Sequence, residues 1–595
     1  MRLIDCIREE MKTAGYDWYF TKDSDPHMSE YVNDYYKFRS IISGFTGSNG
    51  TLAVGIDKAY LFTDGRYFIQ AEKELEGSGI ELMKLSTPGY PTIKEFINKL
   101  IKEGLTVACP SEIFSYKEIL DYGFNALDND NSIFLDAYFR FKGEDYPKAK
   151  IDDSVEFLSD ELTGESTEKK IEKIRKYLID NEIFYYMSAS LDSNMWLLNI
   201  RGNAIKYNPM AFSFLIVTPR EVSVFIFDNE GKNRYLIASK DTRIHLSSGF
   251  EETSSLFRNQ KINCFLYNNF ERFLANLPGS RRACFAFDKM PAKFAKILEG
   301  KNYQLINSDC NVSRLQAIKN DVEINNLREA YRKDNKVVCE FQNWVKTNDV
   351  TSMNEYELMK RLDSMRLYNL DCRDLSFDTI SASGPNAAMM HYESKENDCS
   401  MILKDNLYLF DSGGQWIGGT TDITRTVAIG TPTYEMKHDY TRVARGMLAL
   451  MNAVFIEGCS GLNLDVLARE PMWEEGDDYK CGTGHGVGYM LSVHEGPHAI
   501  RWMQKPVGRE AILRPGMLVS DEPGIYKEGK YGIRIENILL VREKCETPDG
   551  RFLCFECLTY VPLDENLLLR DEMSDREIMW LDHYQNECNS INSQL

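Results

Sequence analysis

NLYLFDSGGQWIGGTTDITRTVAIG, residues 406–430, carries the first signal for the fold of this chain. Residues 406–410 are rich in large apolar side chains and predict a strand that ends at Asp411. Residues 421–429 predict a second strand, which carries Asp422, and the glycines between the two strands predict a chain reversal. We therefore expect the two aspartates to face one another across a hairpin.

A histidine lies in a second glycine-rich segment. Residues 481–498 read CGTGHGVGYMLSVHEGPH, with Gly484 and Gly486 on either side of His485. Glycine has no side chain beyond hydrogen, so the backbone can approach other groups closely at these positions. His485 is therefore expected at a crowded centre.

Two glutamates lie in a third segment, LVSDEPGIYKEGKYGIRIENILLV, which covers residues 518–541. This segment predicts two paired strands around a turn at Pro523–Gly524. Glu522 ends the first strand, and Glu536 lies inside the apolar second strand, where an unpaired charge would be costly. The two strands are expected at residues 518–521 and 532–541.

These five residues together form the donor set of a two-metal site: Asp411, Asp422, His485, Glu522 and Glu536. Carboxylate oxygens suit hard divalent ions such as Mn, Mg and Ca, and an added imidazole favours Mn, Fe, Co or Zn. Two metals about 3.5–4 Å apart can share a hydroxide and clamp a carbonyl group. Four like charges would not converge without cations to offset them. The alternative, five ordinary turn or strand-end residues, is disfavoured by their occurrence together.

The segments around these residues show a family resemblance. DSGGQW–GTTDITRT, GTGHGVG–VHEGP and DEPGIY–GIRIEN resemble the pita-bread metallopeptidases of family M24, and are most similar to cytosolic, eukaryotic-type aminopeptidase P. The resemblance implies an enzyme that hydrolyses the bond between an N-terminal residue and a penultimate proline in peptides. It also implies two divalent metal ions, with manganese preferred, a homodimer and a cytoplasmic location.

The resemblance assigns a role to each of the five residues. Asp411 is expected to chelate one metal and His485 to bind the other, with Asp422 and Glu536 bridging the two. Glu522 is expected to bind metal and to act as the general base, which later passes the proton to the leaving nitrogen.

Two more histidines and an arginine belong to the expected site. His391 lies in LSFDTISASGPNAAMMHYES and His494 in SVHEGPH. In the family the matching histidines are not metal ligands; they line the site and contact the substrate around the scissile bond. A neutral imidazole N–H can donate to the carbonyl oxygen as this oxygen becomes anionic. The resemblance also places Arg534 near the substrate proline, with a purely structural ion pair as the alternative.

Composition excludes several classes of protein. The chain has 595 residues, is 43% hydrophobic and carries a net charge of −20, so we expect a globular protein that binds no nucleic acid. It contains no apolar run long enough to predict a membrane span. The N-terminal sequence MRLIDCIREEMKTAG is amphipathic and lacks the apolar core of a secretory signal. The fourteen scattered cysteines are expected to be free thiols in a reducing compartment.

The length predicts several domains, and the patterning predicts an α/β (α+β) fold class. SGFTGSNGT and TDGRYF resemble the N-terminal domain of the family, and WLLNIRG–YNP resembles its middle domain. We expect an N-terminal creatinase-like α/β domain, a middle creatinase-like α/β domain and a pita-bread catalytic domain with a C-terminal extension, at residues 1–150, 151–318 and 319–595 respectively.

Local patterns add two expectations about these domains. Residues 51–63 and 212–228 each predict a pair of short strands joined by a turn, so the first two domains are expected to be a diverged repeat. Asn320, with Glu323 three residues later, predicts a capping box at the start of a long helix that ends near residue 346.

Two alternative functions remain open. A prolidase-like enzyme, which cleaves X-Pro dipeptides only, would share all five candidate ligands, but the three-domain length and the tail after Glu536 favour aminopeptidase P. A metal-free pita-bread scaffold that binds proteins, as in some histone chaperones, belongs to a different class. Such scaffolds lose the metal ligands, whereas this chain has all five.

Overall fold

The computed structural model describes residues 2–228, 262–503 and 511–593. The chain divides into two compact units: Met1–Asp160 with Glu165–Val312, and Glu161–Gly164 with Ser313–Leu595. In the described ranges, no helix has both the length and the apolar character that crossing a bilayer requires. All fourteen cysteines are free thiols, as the sequence predicted. The division of the first unit at residue 150 stays a prediction.

A six-stranded sheet forms the first half of unit 1. Its strands are β1 (Trp18–Lys22), β2 (Thr51–Gly55), β3 (Ala59–Thr63), β4 (Glu81–Lys84), β5 (Val107–Pro110) and β6 (Ala126–Asp128). They lie in the order β4-β3-β2-β1-β5-β6. β2 is antiparallel to both β1 and β3, and the other neighbours are parallel.

A second six-stranded sheet repeats this arrangement. Two strands of this half, β7 (Val155–Phe157) and β9 (Ile200–Gly202), lie outside the sheet. The six strands of the sheet are β8 (Tyr185–Ser188), β10 (Ser213–Val217), β11 (Val222–Ile226), β12 (Ile262–Leu266), β13 (Arg282–Phe285) and β14 (Gln304–Asn307). β7 pairs with β9 outside the sheet, whose order is β12-β11-β10-β8-β13-β14. Here β10 is antiparallel to β8 and β11, and the other neighbours are parallel. The two halves therefore share one topology, which confirms two related N-terminal α/β domains.

Amphipathic helices cover these sheets. The helix Thr167–Asp180 buries Ile171, Ile174 and Leu178 on one face. The other helices of this unit follow the same principle, in that apolar residues at helical spacing pack on the sheet. They are Leu3–Ala14, Phe38–Ser43, Phe68–Glu74, Ile93–Lys102, Tyr116–Tyr122, Ser132–Lys142, Leu191–Leu198, Phe270–Asn276 and Ala292–Gly300.

The long helix of unit 2 is Asp321–Thr347. The Asn320 side chain accepts from the backbone N–H groups of Val322 and Glu323, and Glu323 completes the capping box, as predicted. The later helices include Glu355–Leu367, Tyr434–Met451, Gly461–Trp473 and the C-terminal Asp575–Ser593.

Within the described residues, the strands of unit 2 form five small sheets. The strands are β15 (Cys372–Leu375), β16 (Ile380–Ser383), β17 (Asn406–Ser412), β18 (Gly414–Trp416), β19 (Gly419–Thr420), β20 (Ile423–Ile429), β21 (Val454–Ile456), β22 (Gly484–Gly486), β23 (Glu495–Ile500), β24 (Leu518–Asp521), β25 (Gly524–Lys527), β26 (Tyr531–Arg534), β27 (Asn537–Thr547) and β28 (Gly550–Cys557). β16-β17-β20 and β21-β28-β27-β24 are the main antiparallel groups. Mixed helices and antiparallel strands of this kind agree with the predicted fold class.

Two helices of unit 2 approach closely at Gly446. A Cβ added at Gly446 would lie 2.2 Å from the backbone oxygen of Ala468. We predict that Gly446→Ala destabilises the protein by about 1–3 kcal/mol, because a rigid backbone atom must move to admit the methyl group. Gly300→Ala is the control, since nothing lies within 4 Å of its added Cβ. Thermal unfolding of both variants measures the difference; equal unfolding temperatures would contradict the close approach.

Candidate metal centre

β17 and β20 place the two aspartates. Asp411 pairs with Thr424 across the ladder, and Asp422 directly precedes the first residue of β20. The predicted second strand was thus two residues too long at its start. The connection is also more than a hairpin turn, because β18 and β19 pair with one another between the two long strands. Asp422 lies outside the ladder, and its side chain is therefore not fixed by strand alternation.

The glutamate segment differs from the prediction in its second strand. β24 ends at Asp521 as expected, but residues 532–541 are divided between β26 and β27. The turn lies between β25 and β26 and not at Pro523–Gly524, since Gly524 begins β25. The reason is a change of partner at Glu536, whose backbone N–H donates to the Thr424 carbonyl at 3.1 Å. This break brings Glu536 next to the strand that follows Asp422.

Glycine allows His485 to lie close to the glutamate strand. His485 is the central residue of β22, and a Cβ added at Gly484 would lie 1.9 Å from the Ser520 backbone oxygen. The Ser520 hydroxyl accepts from the His485 backbone N–H at 2.9 Å and donates to Glu522 Oε1 at 3.1 Å. One serine therefore connects the histidine and the glutamate.

The five predicted residues converge. Asp422, His485 and Glu536 each offer a ligand atom, and these atoms lie within 4.8 Å of one another. His485 Nε2 is 3.5 Å from Asp422 Oδ2 and 3.4 Å from Glu522 Oε1. Asp411 joins the group through Arg534, whose Nη2 donates to Asp411 Oδ2 at 2.6 Å. The structure thus brings the candidate ligands together, and their roles as metal ligands stay a prediction.

Burial of like charges sets the electrostatics of this cluster. Desolvation raises the pKa of Asp411 to about 6, with Arg534 opposing the rise and Asp422 adding to it. Desolvation also raises the pKa of Glu522, and it raises that of Glu536 well above its ordinary value, with further repulsion from neighbouring carboxylates. Without cations, the cluster favours protonated carboxyl groups.

The pKa of His485 is also shifted by this cluster. Burial opposes its charged form, but the hydrogen bond to Asp422 and the charges of Glu522 and Asp422 outweigh burial and raise the pKa of His485 to about 9. In the metal-free protein the charged His485 imidazole therefore lies among the carboxyl groups, in addition to the Arg534 guanidinium beside Asp411.

The residues present fit divalent cations. Asp411 Oδ1 and Glu536 Oε1 are buried and have no hydrogen-bond partner within the described part of the chain. An orphaned carboxylate oxygen in the interior is costly unless it binds a cation or a proton. The donor set of carboxylates and one imidazole, without thiolate, is that of hard to borderline ions.

Two further residues predicted for the site are His494 and His391. The His494 ring meets the His485 ring edge-on, with centroids 4.3 Å apart. His391 is exposed, in the loop after the short helix Gly384–Ala388. That loop is held by Glu355, which accepts from the Tyr392 hydroxyl at 2.7 Å. The structure thus places His494 beside His485, and it places His391 on an exposed, tethered loop.

Arg534 is engaged by protein groups. Its guanidinium donates to Asp411, to the Tyr526 hydroxyl at 2.9 Å and to Thr424 Oγ1 at 3.2 Å. Only 4% of its surface is exposed. These contacts hold Arg534 in place, and its position near the substrate proline stays a prediction.

Sequence reasoning did not identify the hydroxyl groups that orient the carboxylates. Thr424 Oγ1 donates to Glu536 Oε2 at 2.7 Å while it accepts from Arg534. The Ser520 hydroxyl likewise donates to Glu522 Oε1, whereas the Tyr526 hydroxyl accepts from Arg534 Nη1. Thr424 and Ser520 each lie two residues from a candidate ligand, Asp422 and Glu522 respectively, and this spacing was a usable signal.

Family models cover most of unit 2 and part of unit 1. Residues 325–543 match metallopeptidase family M24, and residues 551–595 match the C-terminal region of peptidase M24. Residues 145–323 match the Creatinase/Prolidase N-terminal domain. Fold and site therefore define a pita-bread metallopeptidase.

Individual relatives narrow this class. A protein of Laccaria bicolor named "Probable Xaa-Pro aminopeptidase P" is 37% identical over 603 residues, which cover 98% of this chain and 88% of the relative. The X-prolyl aminopeptidase of Caenorhabditis elegans, described as a cytosolic enzyme with a di-nuclear active site, superposes with a TM-score of 0.85 at 31% identity, covering 97% of this chain and 92% of that one. The Xaa-Pro dipeptidase of Bacillus anthracis, at 24% identity and a TM-score of 0.51, covers 67% of this chain and 99% of its own, and shows the shared fold alone. This chain belongs to the aminopeptidase P family of M24 metallopeptidases.

The electrostatics predict a pH-dependent stability of the metal-free protein. The pKa of His485 rises from 6.5 to about 9 on folding. The charged imidazole therefore stabilises the folded state fully below pH 6.5, and this contribution is lost as the pH rises through 9. We predict that chelator-treated wild type exceeds His485→Gln in unfolding temperature at pH 6, and that the difference shrinks by pH 10. Scanning fluorimetry with chelator measures it, and a difference that does not change with pH would contradict the charge assignment.

Proposed function

We propose that this chain is a metal-dependent aminopeptidase that releases the N-terminal residue from peptides with proline at position two. The observation that carries the proposal is the cluster in which Asp422, His485 and Glu536 bring ligand atoms within 4.8 Å of one another, with two orphaned carboxylate oxygens nearby, in a chain of which 98% matches an aminopeptidase P. Metal-dependent peptide hydrolysis is the chemistry such a donor set supports.

The cofactor of this proposal is a pair of divalent ions, with manganese as the metal. Asp411 and His485 would each hold one ion, Asp422 and Glu536 would lie between them, and Glu522 would contribute a further carboxylate. When bound, two such ions lower the pKa of a water molecule and polarise a carbonyl group. The di-nuclear site named for the Caenorhabditis elegans relative supports the number of ions.

Residues of the chain supply the proton transfers and the oxyanion contact. Glu522 is the proposed general base, because burial raises the pKa of its carboxyl group and its Oε1 receives the Ser520 hydroxyl. It accepts the proton of the attacking water and delivers a proton to the leaving nitrogen. His494, beside His485, is the proposed donor to the carbonyl oxygen, and His391 is proposed to contact the substrate from its loop.

The leaving nitrogen explains the need for a dedicated enzyme. The amide before proline has no N–H, and the pyrrolidine ring fixes φ, so peptidases that bind that N–H do not accept it. We propose that His391, His494 and the side of Arg534 away from Asp411 form the surroundings of the proline ring. Because three protein groups hold Arg534 in place, it would form a fixed boundary of the proline pocket.

A prolidase-like X-Pro dipeptidase is the second candidate. The dipeptidase from Bacillus anthracis matches 67% of this chain, whereas the aminopeptidase P relatives match 98%. The additional N-terminal domain and the C-terminal region therefore favour the aminopeptidase.

The remaining proposals concern assembly and location. We propose the three domains 1–150, 151–318 and 319–595, a homodimer and a cytoplasmic location. An exposed aromatic patch in unit 2 supports the dimer: Trp473, Trp502 and Met503 are 41%, 48% and 51% exposed, and the two tryptophan rings meet edge-on. Such a patch is costly in water unless it is covered. Light scattering over a concentration series tests the dimer.

Peptide hydrolysis tests the activity directly. We predict that the chelated protein is inactive, that added Mn²⁺ restores release of arginine from Arg-Pro-Pro, and that Asp422→Ala stays inactive because one shared ligand is lost. Arg-Pro is the comparison substrate, and release of free arginine is the readout. Cleavage of the dipeptide alone would identify a prolidase-like enzyme, and no cleavage with any divalent metal would overturn the proposal.

A histidine substitution tests the oxyanion contact. We predict that His494→Phe lowers kcat for Arg-Pro-Pro by about 10²–10³-fold, the effect of removing one donor to a developing oxyanion, while the metal content stays unchanged. His583→Phe, on the exposed side of the C-terminal helix, is the matched control. A wild-type kcat for His494→Phe would assign His494 a structural role.

A further inference from the structure

An ion pair lies completely buried beneath the two aspartates. Asp334, on the long helix Asp321–Thr347, accepts from Arg366 Nε at 2.7 Å, and neither side chain has any exposed surface. Arg366 belongs to the next helix, Glu355–Leu367. The pair therefore links two helices at a point where no water reaches it.

Both members of the pair also bond to residues next to the aspartates. Asp334 Oδ2 accepts from the Thr421 hydroxyl at 2.5 Å, and Thr421 directly precedes Asp422. Arg366 Nη2 donates to the Ser412 hydroxyl at 3.1 Å, and Ser412 directly follows Asp411. One ion pair thus holds the covalent neighbours of two candidate ligands.

The surrounding backbone leaves little freedom to these neighbours. Thr421 Oγ1 accepts from the Gly414 N–H at 2.8 Å, and the Ser376 hydroxyl donates to the Thr421 carbonyl at 2.8 Å. A Cβ added at Gly413 would lie 1.9 Å from that carbonyl oxygen. Asp422 stands outside the β20 ladder, so these contacts replace the ladder in fixing the chain just before it.

Stability alone does not account for a pair in this position. Desolvating two charges offsets most of their attraction, and replacing a buried pair by apolar residues is often neutral or stabilising. Groups that orient metal ligands without touching the metal, by contrast, typically change metal affinity 10–100-fold when they are removed.

We propose that Asp334 and Arg366 are positioning residues that set the separation of Asp411 and Asp422 and thereby the affinity for divalent metal. The inference rests on the proposed metal-binding function. The pair acts through Thr421 and Ser412 and touches neither the substrate nor the metal.

The test replaces the pair by apolar side chains in the full-length protein. Asp334→Val with Arg366→Met removes both charges together, so neither is left unpaired. After chelation, Mn²⁺ binding is measured by calorimetry or against a competing chelator, independently of activity. We expect an unfolding temperature within a few degrees of wild type and a metal affinity about 10–100-fold lower. Thr421→Val, which keeps the ion pair and removes its link to Thr421 together with the hydrogen bond from the Gly414 N–H, is expected to weaken metal binding in the same direction.

A matched control separates positioning from general destabilisation. Asp23 and Arg39 form another buried pair, in unit 1, with 7% and 1% side-chain exposure, and Asp23→Val with Arg39→Met is expected to leave Mn²⁺ affinity unchanged. Wild-type affinity in Thr421→Val, or in the Asp334 and Arg366 double variant, would overturn the inference while the proposed function stands. A wild-type chain that binds no divalent metal would overturn the proposed function and this inference with it.

Discussion

Unit 2 depends on one constraint, which is that several carboxyl groups of like charge are buried together away from water. Three carboxyl groups, those of Asp411, Asp422 and Glu536, are less than a tenth exposed, and Glu522 lies beside them. Desolvation and mutual repulsion raise the pKa values of Asp411 and Glu536. The nearby carboxylates in turn raise the pKa of His485, which favours its charged form. The protein can keep this group together only if its backbone is rigid there and if cations or protons offset the charge.

The rigidity comes from short strands that exchange partners at the site. Asp411 is held in the ladder opposite Thr424, whereas Glu536 leaves its own strand to bond to the Thr424 backbone. Thr424 also orients the Glu536 carboxylate and receives Arg534. Thr424 therefore contacts three residues of the site, Asp411, Glu536 and Arg534, and fixes their positions relative to one another. Contacts of this kind between short strands hold the site together without a long continuous sheet.

Much of this could be predicted from the sequence, for physical reasons that differ between elements. The long helix was predictable because its cap and its apolar stripe are local signals, and the five polar residues were predictable because each is unusual in an apolar segment. The break between β26 and β27 was not, since Ile535 and Glu536 continue an apolar alternation and only the tertiary bond to Thr424 ends it. Asp334 and Arg366 were not recognised either, because a charged residue on a helix is ordinarily solvated and its partner lies 32 residues away.

The position of Asp422 outside any ladder gives the buried pair its importance. A strand residue is fixed by two neighbours, but a residue at a strand end keeps rotational freedom unless its flank is tied down. Functional side chains must be held to within about 0.5 Å to bind metal in one geometry. An apolar contact would fill the same space without a preferred direction, whereas the Asp334 carboxylate accepts Thr421 along one line and the Arg366 guanidinium reaches Ser412 along another. Directional bonds in a dry interior are thus the means by which two separate helices fix the distance between two aspartates.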